Sequence, residues 1–116
     1  MLMFPKEKKK KKKKKTVKKT KSIMQENYSI CYLCGRNGNG DKLEEHHIIY
    51  GKGNRDNSEK YGLKVRACGF RCHREGPNSI HKNKLVRKML EREAQMKFEE
   101  THTREEFILI FGKNYL

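Results

Sequence analysis

From Asn83 to Phe98 apolar residues recur at intervals of three and four. Leu85, Val86, Met89, Leu90, Ala94 and Phe98 form one stripe, and Lys, Arg and Glu fill the other side. The spacing predicts a helix that turns this stripe toward a core. Thr103-Arg-Glu-Glu106 reads as a capping box opening a second, short helix, with Phe107, Ile108 and Phe111 on its apolar face and Gly112 as its C-cap. Upstream, Lys42 to Tyr50 predicts a strand with Ile48 and Tyr50 on one face and Ile49 on the other. Leu63-Lys-Val65 predicts a short second strand, basic on its outer side. Between the strands, the run from Gly51 to Ser58 is rich in turn formers and predicts an exposed loop.

Before residue 22 the pattern vanishes. Residues 1–21 hold twelve lysines, eight of them consecutive (Lys8 to Lys15), and one acid, Glu7. This segment therefore carries +11 of the formal net charge of +15. Such a run repels itself and has nothing to bury, so residues 1–22 are expected to be a disordered arm and residues 23–116 the folded domain. A flexible polylysine arm suits an electrostatic tether for nucleic acid, held by released counterions and unable to read sequence. A solubilising tail, a nuclear-import signal or an anionic-membrane contact would have the same composition. At 116 residues and 34% hydrophobic, one domain is expected, without a deep enclosed active site. No apolar run approaches the roughly 18 residues of a membrane span, and no apolar segment backs the basic N-terminus as in a secretory signal.

Chemistry concentrates between residues 31 and 81. Cys31-x2-Cys34 has knuckle spacing, with Gly35 beside it to let the backbone turn around an ion. Cys68-x3-Cys72 supplies a second pair. Two disulfides or four buried thiols are the alternatives, but a disulfide scaffold would want a secretory signal. A four-cysteine structural Zn²⁺ site is therefore expected, and it would supply folding energy that a domain this small is short of. His46, His47, His73 and His81 lie in or near the same frame. Imidazole is both a metal ligand and a base matched to neutral pH, so a second, functional metal site is expected there.

Taken together, Cys31-x2-Cys34, Glu45-His46-His47-Ile48 and Cys68-x3-Cys72-His73 resemble the zinc-containing branch of the HNH endonuclease superfamily. The stretches Asn54-Arg55, Ser58-Glu59-Lys60-Tyr61-Gly62-Leu63 and Phe111-Gly112-Lys113-Asn114-Tyr115 are similar to small phage and prophage HNH-like proteins. The basic arm joined to such a domain also resembles the phage recombination-enhancing, RecA-dependent nucleases. The resemblance covers about residues 28–116. It implies an α+β fold: a small ββα-metal (HNH, or His-Me finger) unit with the four-Cys zinc site, followed by two C-terminal helices. It implies metal-dependent hydrolysis of DNA phosphodiester bonds, in the cytoplasm of a bacterial host. DNA, duplex or single-stranded, would be the partner, with a recombinase or another phage or host protein as a further one.

Position by position, the resemblance makes His47 the general base and His46 and His73 ligands of the catalytic ion, with His81 as another. His46 stands where the family has an acidic residue, which tilts the choice of ion toward Zn, Mn, Co or Ni over Mg. The family's middle asparagine has no counterpart before the second cysteine pair; Asn54, Asn57 and Asn83 are the candidates to reach the base. Arg55, Arg71 and Arg74 are placed in sequence to bind phosphates. Two other readings use the same residues: a non-catalytic, zinc-stabilised nucleic-acid-binding protein, and an interaction protein whose zinc site is purely structural.

Overall fold

The computed structural model describes residues 19–116, so the arm expected over residues 1–22 lies outside the described residues except for its last four positions. Strands β1 (Leu43–His47) and β2 (Lys64–Cys68) pair antiparallel, with Leu43 opposite Cys68 and His47 opposite Lys64. Helix α1 (Asn54–Tyr61) lies between them in sequence, and a π-helical turn (Gly69–Arg74) follows β2 directly. Helices α2 (Lys84–Phe98) and α3 (Arg104–Phe111) complete a small α+β unit.

The strands are displaced from their expected limits. β1 stops at His47, and Ile48 and Ile49 are both buried instead of facing opposite ways. The backbone N–H of Ile48 donates to Leu63 O (2.9 Å), where the chain leaves the sheet and turns both side chains inward. Lys64, expected on a basic outer face, is 3% exposed.

The loop expected over Gly51–Ser58 is a turn only as far as Gly53, and from Asn54 onward it is the start of α1. Gly53 (φ 79°) precedes the helix and Gly62 (φ 73°) ends it, both in the left-handed conformation that glycine adopts without strain. No apolar periodicity marks this helix. Its anchor is polar: the fully buried Ser58 hydroxyl accepts from Ile49 N–H (3.1 Å) and donates to Ile49 O. Asn54 and Asn57 donate their side-chain amides to Phe111 O (3.1 Å) and Ile110 O (3.2 Å). These carbonyls, at the end of α3, have no partner within their own helix.

The two C-terminal helices match expectation more closely. Asn83 caps α2 by accepting from the N–H groups of Leu85 and Val86. Leu90, Ala94 and Phe98 are buried, but Leu85 and Met89 are 77% and 41% exposed. The core meets one i, i+4 row, Val86-Leu90-Ala94, and the neighbouring positions fall beside it. The capping box of α3 is complete: Thr103 Oγ1 accepts from Glu106 N–H (3.1 Å) and Glu106 accepts from Thr103 N–H (2.8 Å). Phe107 and Phe111 turn inward, Ile108 sits at the margin, and Phe98 meets Phe107, Phe111 and Tyr61 at ring-centroid distances of 5.3, 6.0 and 5.5 Å.

The folded contacts begin before residue 23. Thr20 N–H donates to Glu59, the Ser22 hydroxyl to Lys64 O (2.6 Å) and Ile23 N–H to Gly62 O (2.9 Å). Among the described residues no helix is long and apolar enough to cross a membrane.

If the Ser58 hydroxyl anchors α1, Ser58→Ala strands two buried backbone groups of Ile49 and lowers stability by about 1–3 kcal/mol. The exposed Leu109→Ala changes it by less than about 0.5 kcal/mol. Urea denaturation of both variants checks this, and equal midpoints would remove the anchor.

Candidate metal centres and a histidine pocket

The first cysteine pair is shaped by its own backbone. Gly35 N–H donates to Cys31 O (2.9 Å) and Cys31 N–H to Arg36 O (2.7 Å), closing a tight turn that Gly35 completes at φ 78°. Cys34 N–H points at Cys31 Sγ (3.4 Å). The second pair comes from a different element: Cys68 ends β2 and Cys72 lies one π-turn later. All four sulfurs lie within 4.8 Å of one another, with Cys34 and Cys68 at 3.5 Å, and none forms a disulfide. Tetrahedral zinc with bonds of about 2.3 Å sets its sulfurs about 3.8 Å apart, so the cluster suits one ion.

Electrostatics support the same reading. Burial and the neighbouring thiols push Cys68 up to about 11 and raise Cys72 further. Burial also opposes ionisation of Cys34, but hydrogen bonds from the Arg36 backbone and from Cys68 and Cys31 outweigh it and bring that thiol to about 6. Four crowded thiols, three of them on buried residues, resist joint ionisation unless a cation neutralises them.

The histidines form a second cluster. Neighbouring residues of a strand point to opposite faces, so β1 sends His46 to one side and His47 to the other. His73 directly follows Cys72 in the π-turn. The chain then folds back, with Ile80 N–H on Cys72 O (2.8 Å) and His81 N–H on His73 O (3.0 Å), which sets His81 beside His73. Ring centroids of His46, His73 and His81 lie 4.6–5.8 Å apart, and one ring nitrogen from each falls within 4.8 Å of the others.

Glu44, on the same face of β1 as His46, accepts from His73 Nδ1 (2.7 Å). That hydrogen bond, with help from Arg74, holds the Glu44 carboxyl below its ordinary value. An ionised Glu44 can only accept, so His73 Nδ1 is the donor, and in the neutral ring the lone pair is then on Nε2, the arrangement that orients a metal-binding imidazole. Burial, then the charges of His73 and His81, bring His46 down to about 3, so its ring is neutral. His46 Nε2 is buried without any hydrogen-bond partner. An orphaned buried nitrogen costs about 1–3 kcal/mol, and an ion bound between the three rings would satisfy it.

His47 takes a different partner. Its Nε2 lies 2.8 Å from Glu59 Oε1, on α1. Lys64, directly across the sheet, sets its ammonium 2.7 Å from Glu59 Oε2 and 3.3 Å from Glu45 Oε2. Glu45, His47 and Glu59 also approach closely enough to share an ion, but the Lys64 ammonium already neutralises both carboxylates. This trio is therefore a charge network and a poor metal site.

All four histidines line one pocket of about 410 Å³, together with Tyr50, Arg55 and Arg87. Of the arginines expected near the site, Arg55 is in its wall. Arg71 and Arg74 are not: Arg71 lies 3.9 Å from Asp41, and Arg74 donates to Glu44 (3.0 Å) behind His73. Among the described residues none of the candidate asparagines hydrogen-bonds to His47: Asn54 and Asn57 hold the end of α3 and Asn83 caps α2. Glu59, Tyr50 and Arg87 escape sequence reasoning because nothing in their spacing distinguishes them from surface residues. Glu44 alone had a local signal, as it lies two residues from His46 on a strand of period two. The chain matches no protein-family model, no curated protein and no solved structure.

If the thiols hold one zinc, elemental analysis of the purified chain finds it, and Cys72→Ser both lowers the zinc content and brings down the melting temperature. A strong chelator has the same effect on the unmutated chain. A melting temperature indifferent to both treatments would leave the cysteines as ordinary core residues.

Proposed function

We propose that the protein is a small metal-dependent endonuclease that hydrolyses DNA phosphodiester bonds, organised on the ββα-metal plan of the phage HNH enzymes. The observation that carries this reading is the convergence of four histidines from β1, the π-turn and the following loop on one pocket walled by Arg55 and Arg87. The order of elements around the pocket supports it: a histidine pair at the end of one strand, an antiparallel partner, then a turn that carries a third histidine.

The residues divide the work. His46, His73 and His81 would hold a divalent cation, with Zn, Mn, Co and Ni better suited than Mg to an all-imidazole set. When bound, such an ion supplies positive charge for the phosphate and the leaving oxygen. His47 is not part of that set; it takes the proton from the water that attacks phosphorus in line with the leaving oxygen. Arg55 and Arg87 have no carboxylate within ion-pair distance among the described residues, so their charge is available to bind phosphate. Tyr50, 52% exposed at the mouth, offers an apolar ring to a nucleoside. Lys19 lines the adjoining groove with His47 and Arg55 and adds a further cation beside the pocket.

Plasmid incubated with the protein and Mg, Mn, Co, Ni or Zn should be nicked with at least one of them, and chelation should stop it. His47→Ala should abolish cleavage, with zinc content and gel retardation of DNA unchanged. Retardation without cleavage under every metal assigns the protein instead to the non-catalytic nucleic-acid-binding modules.

A further inference from the structure

Glu59 meets three donors at once. Oε1 faces His47 Nε2 at 2.8 Å, while Oε2 receives the Lys64 ammonium at 2.7 Å and the Thr20 backbone N–H at 3.0 Å. The site is largely dry: the side chains of Lys64, His47 and Glu59 are 4%, 11% and 12% exposed. Lys64 is held on its other side by Glu45 Oε2 at 3.3 Å, which also accepts from the Tyr28 hydroxyl at 2.9 Å. Burial alone would favour a protonated Glu59, but the hydrogen bonds from His47, Lys64 and Thr20 outweigh it and keep the carboxyl at about 2.

A carboxylate without a proton can only accept. His47 Nε2 must therefore donate, and in a neutral imidazole the other nitrogen, Nδ1, then carries the lone pair. We infer that Glu59 is the positioning residue of the site: it locks His47 as the Nε2–H tautomer and presents Nδ1 as the nitrogen that receives the water proton. The task given to Nδ1 rests on the proposed nuclease function, whereas the tautomer does not. Glu59 thus occupies, from a helix, the place for which the resemblance implied an asparagine.

The unequal sharing of the carboxylate makes a sharp test. In Glu59→Gln the amide has one oxygen and one nitrogen to place. Two donors, Lys64 and Thr20, converge where Oε2 lies, so the glutamine oxygen goes there. The NH₂ then faces His47 Nε2 and turns it into an acceptor, which moves the ring proton to Nδ1. The reverse placement would set NH₂ against an ammonium and an N–H in a nearly dry site, leaving buried donors unpaired. A substitution that preserves size and shape should therefore invert the tautomer.

The histidine ring nitrogens of the full-length, zinc-loaded protein can be read by ¹⁵N–¹H multiple-bond NMR, which separates the two neutral tautomers from the doubly protonated ring, with pH raised until the His47 signals are those of a neutral ring. His47→Gln identifies the His47 signals. The unmutated protein should show His47 as Nε2–H, and Glu59→Gln should show Nδ1–H. With DNA, Glu59→Gln should lower kcat on the order of 10⁴-fold, the scale on which a misoriented base tautomer costs a triad enzyme, with KM and zinc content unchanged. Nδ1–H in the unmutated protein overturns the inference without any variant, and so does Nε2–H retained in Glu59→Gln. A tautomer that flips without loss of cleavage also overturns it, and leaves the nuclease reading standing. A tautomer that flips in a protein that cuts no DNA under any metal sinks the nuclease reading and keeps the lock.

Discussion

The cluster of four thiols is the constraint on which the site depends. It joins the knuckle at residues 31–36 to the end of β2 and to the π-turn, pieces of chain up to about forty residues apart in sequence. Cys72 and His73 are consecutive, so whatever fixes the sulfur also fixes the imidazole. The wide π-turn is what allows this, because Cys72 reaches back toward Cys31 while His73 faces His46. Gly76 closes the arrangement, with its N–H on Phe70 O (3.0 Å) and no room for a Cβ against Arg71 O. A single shift in this turn would move a thiol of the cluster and a pocket residue together.

Polar anchoring does elsewhere what apolar packing does in a larger domain. Helix α1 is held by the Ser58 hydroxyl, by two asparagines on the end of α3 and by Glu59 on His47 and Lys64. The Tyr32 hydroxyl ties the knuckle to Glu93 of α2 (2.8 Å), and the buried Gln95 clamps the C-terminal segment through Asn114 and the Tyr115 N–H. Each bond contributes about 1 kcal/mol net, but each buried group left unmade costs more. Such a fold tolerates exposed changes well and buried polar ones poorly.

That style of anchoring decides what the amino-acid sequence reveals. The caps at Asn83 and Thr103 are read from local chemistry, which acts within four residues. The cysteine pairs are read from spacing, because metal ligation constrains spacing. Phe98, Phe107 and Phe111 are read from periodicity, because they bury area. Helix α1 is hidden, since its residues Asn54 to Tyr61 have no apolar repeat and the partners that stabilise it lie on Ile49, Phe111 and His47. Leu85 and Met89 mislead for the opposite reason: they have the right period, but the core is too narrow to cover a second row. His46, His47, His73 and His81 are legible as candidates, yet their division into a trio and a separate His47 follows from strand alternation and from the fold-back at Ile80. Neither is visible until the register is known.

Charge is sorted within the pocket more sharply than composition suggests. The three carboxylates nearest the histidines, Glu44, Glu45 and Glu59, are spent on partners inside the protein: His73 and Arg74, Lys64 and Tyr28, His47 and Lys64. Each is held below its ordinary value, so each remains an acceptor at neutral pH. An anionic ligand entering the pocket therefore meets carboxylates whose charge is already neutralised, with Arg55 and Arg87 in the wall. Lys64 matters most in this balance. Its ammonium is too buried to bind a substrate, but without it Glu45 and Glu59 would present two uncompensated negative charges beside His47. The buried lysine is thus what keeps a pocket flanked by carboxylates from being strongly negative.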